Sequence, residues 1–304
     1  MRAQQIIINQ KHIEKYSLTS FYIVSKQYLL QIYKLAMHLR NSHADFISLF
    51  IGEISMKKLN LSIALGAMLG ASTGFAADVR IGTEGAYAPW NFLDDNGKLA
   101  GFEIDLGNEL CKRAALECEW VVNEWDSIIP NLKAGNYDVI MAGMSVTEER
   151  RETIEFSAEY YPPDPSKYAG SPGVKVDWEN MQDLKIGAQA ATIHAAYLEA
   201  NLAANNTILQ YETPDQSVAD LVAGNIDVLL ADNSFLAPIV EGSGGAIAFV
   251  GHEVSIGGGV AMGLRKDDTE LTSKLNSALA DMKEDGSVDK LIMEYFEVGP
   301  FYAE

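Results

Sequence analysis

The sequence predicts an α/β protein built as two similar lobes. The first reason is an internal echo. Residues Asp126 to Ser145, DSIIPNLKAGNYDVIMAGMS, match Asp215 to Ser234, DQSVADLVAGNIDVLLADNS, without a gap, and nine of the twenty positions are identical. The second is what each copy reads as: a helix, an Ala-Gly-Asn stop whose glycine supplies the left-handed residue, then an apolar strand of the buried type. The third is where the strands lead. Each runs out into a polar loop, with Ser145 and Arg150 beyond one and Asp232 and Asn233 beyond the other. Ligands in open α/β sheets bind beyond the carboxyl ends of the strands. Two lobes facing each other would make these loops the walls of one cleft, with an arginine opposite an aspartate. That pairing suits a zwitterion, its carboxylate on Arg150 in a two-pronged contact and its ammonium on Asp232.

Charge and composition exclude several classes. The chain has 304 residues, 48% hydrophobic and 21% charged, which suits one large domain or two modest ones. The net charge of −19 argues against a nucleic-acid partner, which would need a basic face. Two cysteines with no CxxC and no Cys/His cluster suggest neither a disulfide scaffold nor a metal site. There is no GxSxG elbow, Walker loop or HExxH. After residue 77 only His194 and His252 occur. No catalytic residue and no cofactor is expected.

The elements follow in order. From Met56 the chain reads Met-Lys-Lys, an uncharged run from Leu59 to Ala71, then Ser-Thr-Gly-Phe-Ala. These are the three parts of a secretory signal, with cleavage expected after Ala76. The apolar run is too short for a transmembrane span. Residues 1–55 are then an upstream extension, Met56 being the expected start. Gly52-Glu53 can be encoded by a ribosome-binding sequence two codons ahead of it. A precursor whose mass begins at Met1 would overturn that and leave a real extension. Residues 1–76 hold eight basic and three acidic residues, so the remainder holds 23 − 8 = 15 basic and 42 − 3 = 39 acidic ones. A basic front on an acidic body fits a targeting segment.

In the mature part Val79 to Gly82 alternates as a strand, and Glu84 to Trp90 is a turn-rich loop. Asp94-Asp95-Asn96-Gly97 reads as a hairpin tip. Asp105 to Arg113 is helical, with Ile104, Leu106 and Leu110 as its apolar stripe. Glu119 to Val122 is a strand, Ser127 to Ala134 a helix and Tyr137 to Ala142 a buried strand. Pro165 to Gly173 and Gly257 to Gly263 are the expected crossings between lobes. Asp268 to Lys283 and Val288 to Phe296 are closing helices on the first lobe. The expected division is 77–167 with 262–304 as lobe 1, and 168–261 as lobe 2.

From Arg80 to Phe296 the chain resembles the amino-acid-binding proteins of bacterial ABC importers, especially the lysine/arginine/ornithine-, histidine- and opine-binding groups. The matching pieces are IGTEGAYAPWNF from Ile81, GFEIDLGNEL from Gly101, WDSIIPNL from Trp125, YDVIMAGMSVTEER from Tyr137 and VAMGLRKDD from Val260. The resemblance implies a type II periplasmic binding protein, its cleft between lobes joined by a two-strand hinge. It places Tyr87 and Trp125 where the family sandwiches the ligand side chain. A cation there gains roughly 0.5–2 kcal/mol per ring. Arg150 and Thr192 fall on the groups that hold the α-carboxylate. Ser145, the Gly143 backbone and Asp232 fall where the ammonium is met. Glu84 falls where basic-amino-acid binders carry an acid at the ligand's distal end. Cys111 and Cys118 match a family disulfide, expected to form in an oxidising compartment.

The implied function is periplasmic capture of a cationic L-amino acid and delivery to an inner-membrane ABC permease, by a monomer without cofactor. Ala142 and Gly143 replace serines of some basic-amino-acid binders, and Glu84 is one methylene longer than their aspartate. The opening TEGAYAPWNF also resembles opine binders. An opine or a polar neutral amino acid is therefore an alternative ligand. The alternative of another class is a cyclohexadienyl-dehydratase-like enzyme. By that resemblance Phe235 occupies the position where such enzymes need an acid, and phenylalanine transfers no proton. A free receptor-reporting protein is the third class.

Overall fold

Two five-stranded sheets organise the chain. The computed structural model describes residues 78–302, which fall within one unit. The extension expected over 1–55 and the leader over 56–76 lie outside the described residues. In chain order the strands are β1 (Val79–Thr83), β2 (Ala86–Tyr87), β3 (Asn91–Leu93), β4 (Leu99–Ala100), β5 (Cys118–Val122), β6 (Val139–Ile140), β7 (Glu155–Tyr161), β8 (Ser166–Gly170), β9 (Lys185–Gln189), β10 (Thr207–Tyr211), β11 (Val228–Asp232), β12 (Ala248–Val254) and β13 (Val260–Leu264). The helices are α1 (Phe102–Arg113), α2 (Ile128–Lys133), α3 (Glu148–Thr153), α4 (Ile193–Asn201), α5 (Pro214–Ala223), α6 (Asn233–Gly242), α7 (Thr269–Glu284) and α8 (Ser287–Phe296).

The first sheet has the order β5-β1-β6-β13-β7 and the second β10-β9-β11-β8-β12. In each, the fourth strand alone runs against the other four, antiparallel to both of its neighbours. The fourth strand of each, β13 or β8, is the one that arrives directly from the other lobe. Strands β2, β3 and β4 form a small separate sheet, turned at Gly97 with φ of 73°. The Cys111–Cys118 disulfide is formed and ties α1 to β5.

The echo is a physical repeat. At the end of α2 the Asn136 amide bonds back to the Asn131 carbonyl and the Gly135 amide to Leu132. At the end of α5 Asn225 bonds to Asp220 and Gly224 to Leu221 in the same pattern. Both are Schellman stops around a left-handed glycine, at φ of 78° and 72°. The aspartates that follow also do one job. The Asp138 carboxylate accepts the Arg80 amide at 3.0 Å, and Asp227 accepts the Lys185 amide at 2.7 Å. The registers agree too, Ile81 opposite Val139 and Ile186 opposite Val228.

Some expected bounds shift. Helix α1 begins at Phe102, three residues early. Gly101 sits at φ of 119°, where an added Cβ would lie 2.5 Å from the Trp90 carbonyl oxygen. Only glycine enters the helix from there. The strand expected over 137–142 is regular only at Val139–Ile140, although the Asp138 and Met141 amides still bond to Arg80 and Gly82 carbonyls. The lobe crossings are 162–165 and 255–259, shorter than the stretches read from glycine content. Ser166 already starts β8 and Val260 already starts β13, so each sheet claims two residues that the division at 167/168 and 261/262 assigned elsewhere. Helices α7 and α8 close over α1, and Phe102, Leu106, Leu110, Leu275, Leu279 and Ile292 are all buried there.

Candidate functional site

The carboxyl ends of β1, β6, β9 and β11 converge on one cleft. Counting its open mouth it holds about 500 Å³, and Glu84, Tyr87, Trp125, Gly143, Ser145, Arg150, Thr192 and Asp232 all line it. The lobes meet across it through polar contacts. The Tyr87 hydroxyl donates to Asp232 Oδ2 at 2.7 Å. Trp125 Nε1 donates to the Ala191 carbonyl at 3.1 Å, and Trp90 Nε1 to Ser234 Oγ at 2.8 Å. Gln189 Nε2 donates to Glu84 Oε1 at 2.5 Å.

Asp232 stands at the N-cap position of α6, yet its side chain makes no capping bond. The crossing segment caps that helix instead. Asp164 Oδ2 accepts the Ser234 amide at 2.9 Å, and the Pro165 carbonyl accepts the Asn233 amide at 3.0 Å. The Asp232 carboxylate is thereby released toward the cleft. Burial works to raise its pKa, but His194, the Tyr87 hydroxyl and Arg150 outweigh burial and hold it below the usual carboxylate range. Asp164 is pushed up to about 6, by burial first and by the charge of Asp232 second.

Arg150 belongs to the short helix α3, whose N-cap Thr147 accepts the Arg150 amide at 3.1 Å. Its side chain turns into the cleft. Nη1 donates to the Ser145 carbonyl at 2.8 Å, and the guanidinium lies 5.2 Å from the centre of the Trp125 ring. Burial pushes its pKa down to about 10, with Asp232 and Glu149 acting in the opposite direction. It stays charged at neutral pH. Among the described residues Glu84 has no cation against it. Burial pushes its carboxyl up to about 7, the Gln189 amide lowers it and Asp215 raises it.

Thr192 caps α4. Its Oγ1 accepts the Ala195 amide at 3.2 Å and donates to the Gln189 carbonyl at 2.7 Å. The positive end of that helix faces the cleft. The Gly143 amide donates to Glu103 at 2.7 Å; an ammonium needs an acceptor, which on this backbone is the carbonyl. Tyr87 stacks on Phe235, with ring centroids 4.3 Å apart and planes at 6°. One face of Tyr87 is thus covered by a residue of the other lobe.

Sequence reasoning did not single out Gln189, His194 or Asp164, and it used Phe235 only to argue against proton transfer. Gln189 had a visible signal. The strand Arg80-Ile-Gly-Thr-Glu84 is echoed by Lys185-Ile-Gly-Ala-Gln189, so Gln189 is the counterpart of Glu84. His194 lines the cleft from α4, and Asp164 supports it from the crossing by taking the Ser234 amide, through contacts that no local pattern announces. Ser166, His194 and Asp232 suggest a hydrolytic triad by residue type. Both contacts use the same ring nitrogen, Nε2 to Ser166 Oγ at 2.9 Å and to Asp232 Oδ1 at 3.3 Å. A triad needs the two ring nitrogens to serve different partners.

Residues 79–298 match the bacterial extracellular solute-binding proteins, family 3. The chain is 36% identical over 255 residues to the lysine/arginine/ornithine-binding periplasmic protein of Escherichia coli (strain K12), covering 80% of this chain and 98% of that protein. It is 36% identical over 283 residues to the octopine-binding periplasmic protein of Rhizobium meliloti, covering 77% and 95%. A solved periplasmic His/Glu/Gln/Arg/opine family-binding protein from Silicibacter pomeroyi, in complex with lysine, is 47% identical, with a TM-score of 0.68 over 73% of this chain and 100% of that one. The two-lobed α/β architecture is that of type II periplasmic binding proteins. By the extent of the match, the chain belongs to family 3 of the bacterial extracellular solute-binding proteins.

Proposed function

We propose that this protein captures a cationic L-amino acid, arginine foremost, in the periplasm and delivers it to the permease of an ABC importer. The observation that carries the ligand class is the charge of the cleft. Glu84 and Asp232 are carboxyl groups lining it, and Arg150 is its one permanently charged cation among the described residues. An amino acid with a cationic side chain brings two positive groups and one carboxylate. Its ammonium meets Asp232, its carboxylate meets Arg150 and the amino end of α4, and its side chain runs past Trp125 to Glu84. The last contact gives Glu84 the cation it lacks.

Closure is the transport signal in this reading. The cross-lobe bonds of Tyr87, Trp90 and Trp125 exist only when the lobes meet, and a ligand favours that state by bonding to both walls. The leader directs export and is removed after Ala76, so the periplasmic form begins at Ala77. An enzymatic role is disfavoured by Phe235 facing the cleft and by the single ring nitrogen that serves both Ser166 and Asp232.

Thermal melting of residues 77–304 against arginine, lysine, ornithine, histidine, glutamine, glutamate, octopine and nopaline tests the reading. A ligand at a thousand times its Kd adds about 4 kcal/mol of stability. The largest shift is expected with arginine. A shift with glutamine alone would remove Glu84 from the ligand, and a shift with octopine alone would move the assignment to opines.

A further inference from the structure

We infer that Glu103, a residue with no place on the cleft wall, is the positioning residue that sets both ligand-facing loops of the first lobe. The inference rests on the binding function proposed above for the meaning of those loops, and on hydrogen-bond polarity for the rest.

Glu103 lies in the first turn of α1 and is fully buried. Its carboxyl receives three donors and, among the described residues, faces no cation. Oε2 accepts Asn91 Nδ2 at 2.7 Å, and Oε1 accepts the Gly143 amide at 2.7 Å and the Tyr160 hydroxyl. Asn91 is fully buried too, and its Oδ1 accepts the Gly85 amide at 2.7 Å. One carboxyl therefore holds the loop bearing Gly143 and Ser145 directly, and the loop bearing Glu84 and Tyr87 through Asn91. Its third partner, Tyr160, stands two residues before the proline crossing that supplies Asp164.

The chain of bonds has a direction. Gly85 donates to Asn91, Asn91 donates to Glu103, and Gly143 and Tyr160 donate to Glu103. Two backbone amides cannot reverse, so this order works only if Glu103 accepts at both oxygens. Burial is the larger effect and raises the Glu103 carboxyl above its ordinary range, against three donors that lower it; the amino end of α1 acts with the donors in favour of the charged form. A glutamine here would set an amide donor against a donor. If it keeps the Gly143 and Tyr160 bonds, the Asn91 side chain must flip, and the Gly85 amide loses its acceptor. A buried unpaired donor is costly, so the Glu84 loop shifts.

The polarity can be restored from the other side. In the double variant Glu103→Gln with Asn91→Asp, the new carboxylate accepts from both Gly85 and the new amide. Total charge is unchanged and each donor again has an acceptor. The experiment compares wild type, Glu103→Gln and the double variant by amide exchange at Gly85 and Gly143 in ligand-free protein, and by calorimetric titration with arginine. In Glu103→Gln, exchange at Gly85 is expected to accelerate at least tenfold and arginine Kd to rise at least tenfold. The double variant is expected to return both to within about threefold of wild type, and folding of the double variant where the single one fails supports the same account. A single variant that exchanges at Gly85 as wild type does, a folded double variant as impaired as the single one, or failure of both to fold overturns it. Exchange needs no ligand, so it decides the role of Glu103 even if arginine proves the wrong amino acid.

Discussion

Replacing Glu84 by glutamine is expected to stabilise the ligand-free closed protein and to weaken arginine binding. Glu84 is 8% exposed, and the hydrogen-bond donor to its carboxyl is an amide, not a cation. Its pKa stands at about 7 against an ordinary 4.5, with burial the main cause. At about 1.4 kcal/mol per pH unit, that gap is worth about 3 kcal/mol. The folded value is the higher one, so the protonated form is favoured in the fold. Its stabilisation is complete below pH 4.5 and is lost as pH rises through 7. Above pH 7 an ionised Glu84 thus costs the closed form up to about 3 kcal/mol, which opening of the lobes relieves. The variant keeps an oxygen for Gln189 and carries no charge. Urea unfolding should therefore show Glu84→Gln gaining stability at pH 8 and gaining little at pH 4.5. Arginine should reverse the ranking. A hydrogen bond to a charged group is worth about 1.5–3 kcal/mol, so titration at pH 8 should show roughly 10- to 150-fold weaker binding by the variant. Equal arginine affinity in the two proteins, or a stability gain in the variant that does not depend on pH, would refute the reasoning.

Asp232→Asn removes the carboxylate that the cleft turns inward, and titration should show arginine binding weakened at least tenfold; unchanged affinity would take Asp232 out of the ligand contact. Replacing Cys111 and Cys118 together by serine opens a loop with a sequence separation of 7, which is expected to cost about 2.5 kcal/mol and to lower Tm by about 5–10 °C in calorimetry. Gly101→Ala forces a Cβ to within 2.5 Å of the Trp90 carbonyl at φ of 119°, and a loss of about 2–3 kcal/mol or more is expected in urea unfolding. An alanine variant as stable as wild type would mean that α1 can begin in another way.

Much of the frame was legible because its signals are local. The two Ala-Gly-Asn stops end helices by the same pair of backbone bonds, and the apolar runs after them are central strands. The lobe crossings were less legible. Glycine-rich and proline-rich stretches mark where a chain can turn, but the start of β8 at Ser166 depends on pairing with β11 and β12, which no single stretch reveals. Gly257 to Gly259 read as freedom, yet an added Cβ at Gly259 would meet Glu159 at 2.5 Å and the Tyr161 carbonyl oxygen at 2.6 Å. That glycine serves close approach of the second crossing to the end of β7. In the cleft, Arg150 and Asp232 were legible as strand-end polar groups. Phe235, His194 and Asp164 were not, because their relevance arises when Tyr87 reaches across to Asp232.

The repeat also explains why its two halves must differ at their ends. Glu84 and Gln189 occupy equivalent positions at the ends of β1 and β9, and closure brings them to 2.5 Å. Two carboxylates at that separation could not both be ionised, and the closed state would resist forming. Two amides would close readily but would hold no charge for a cationic side chain. One acid with one amide is the combination that closes and still leaves a negative charge unmatched by the protein. The same asymmetry recurs one strand over. The Ser145 carbonyl steadies Arg150, whereas the equivalent Ser234 takes Trp90 through its hydroxyl and leaves its amide to Asp164. A repeated frame builds two matching walls, and the departures from the repeat at the strand ends let those walls tell the two ends of a zwitterion apart.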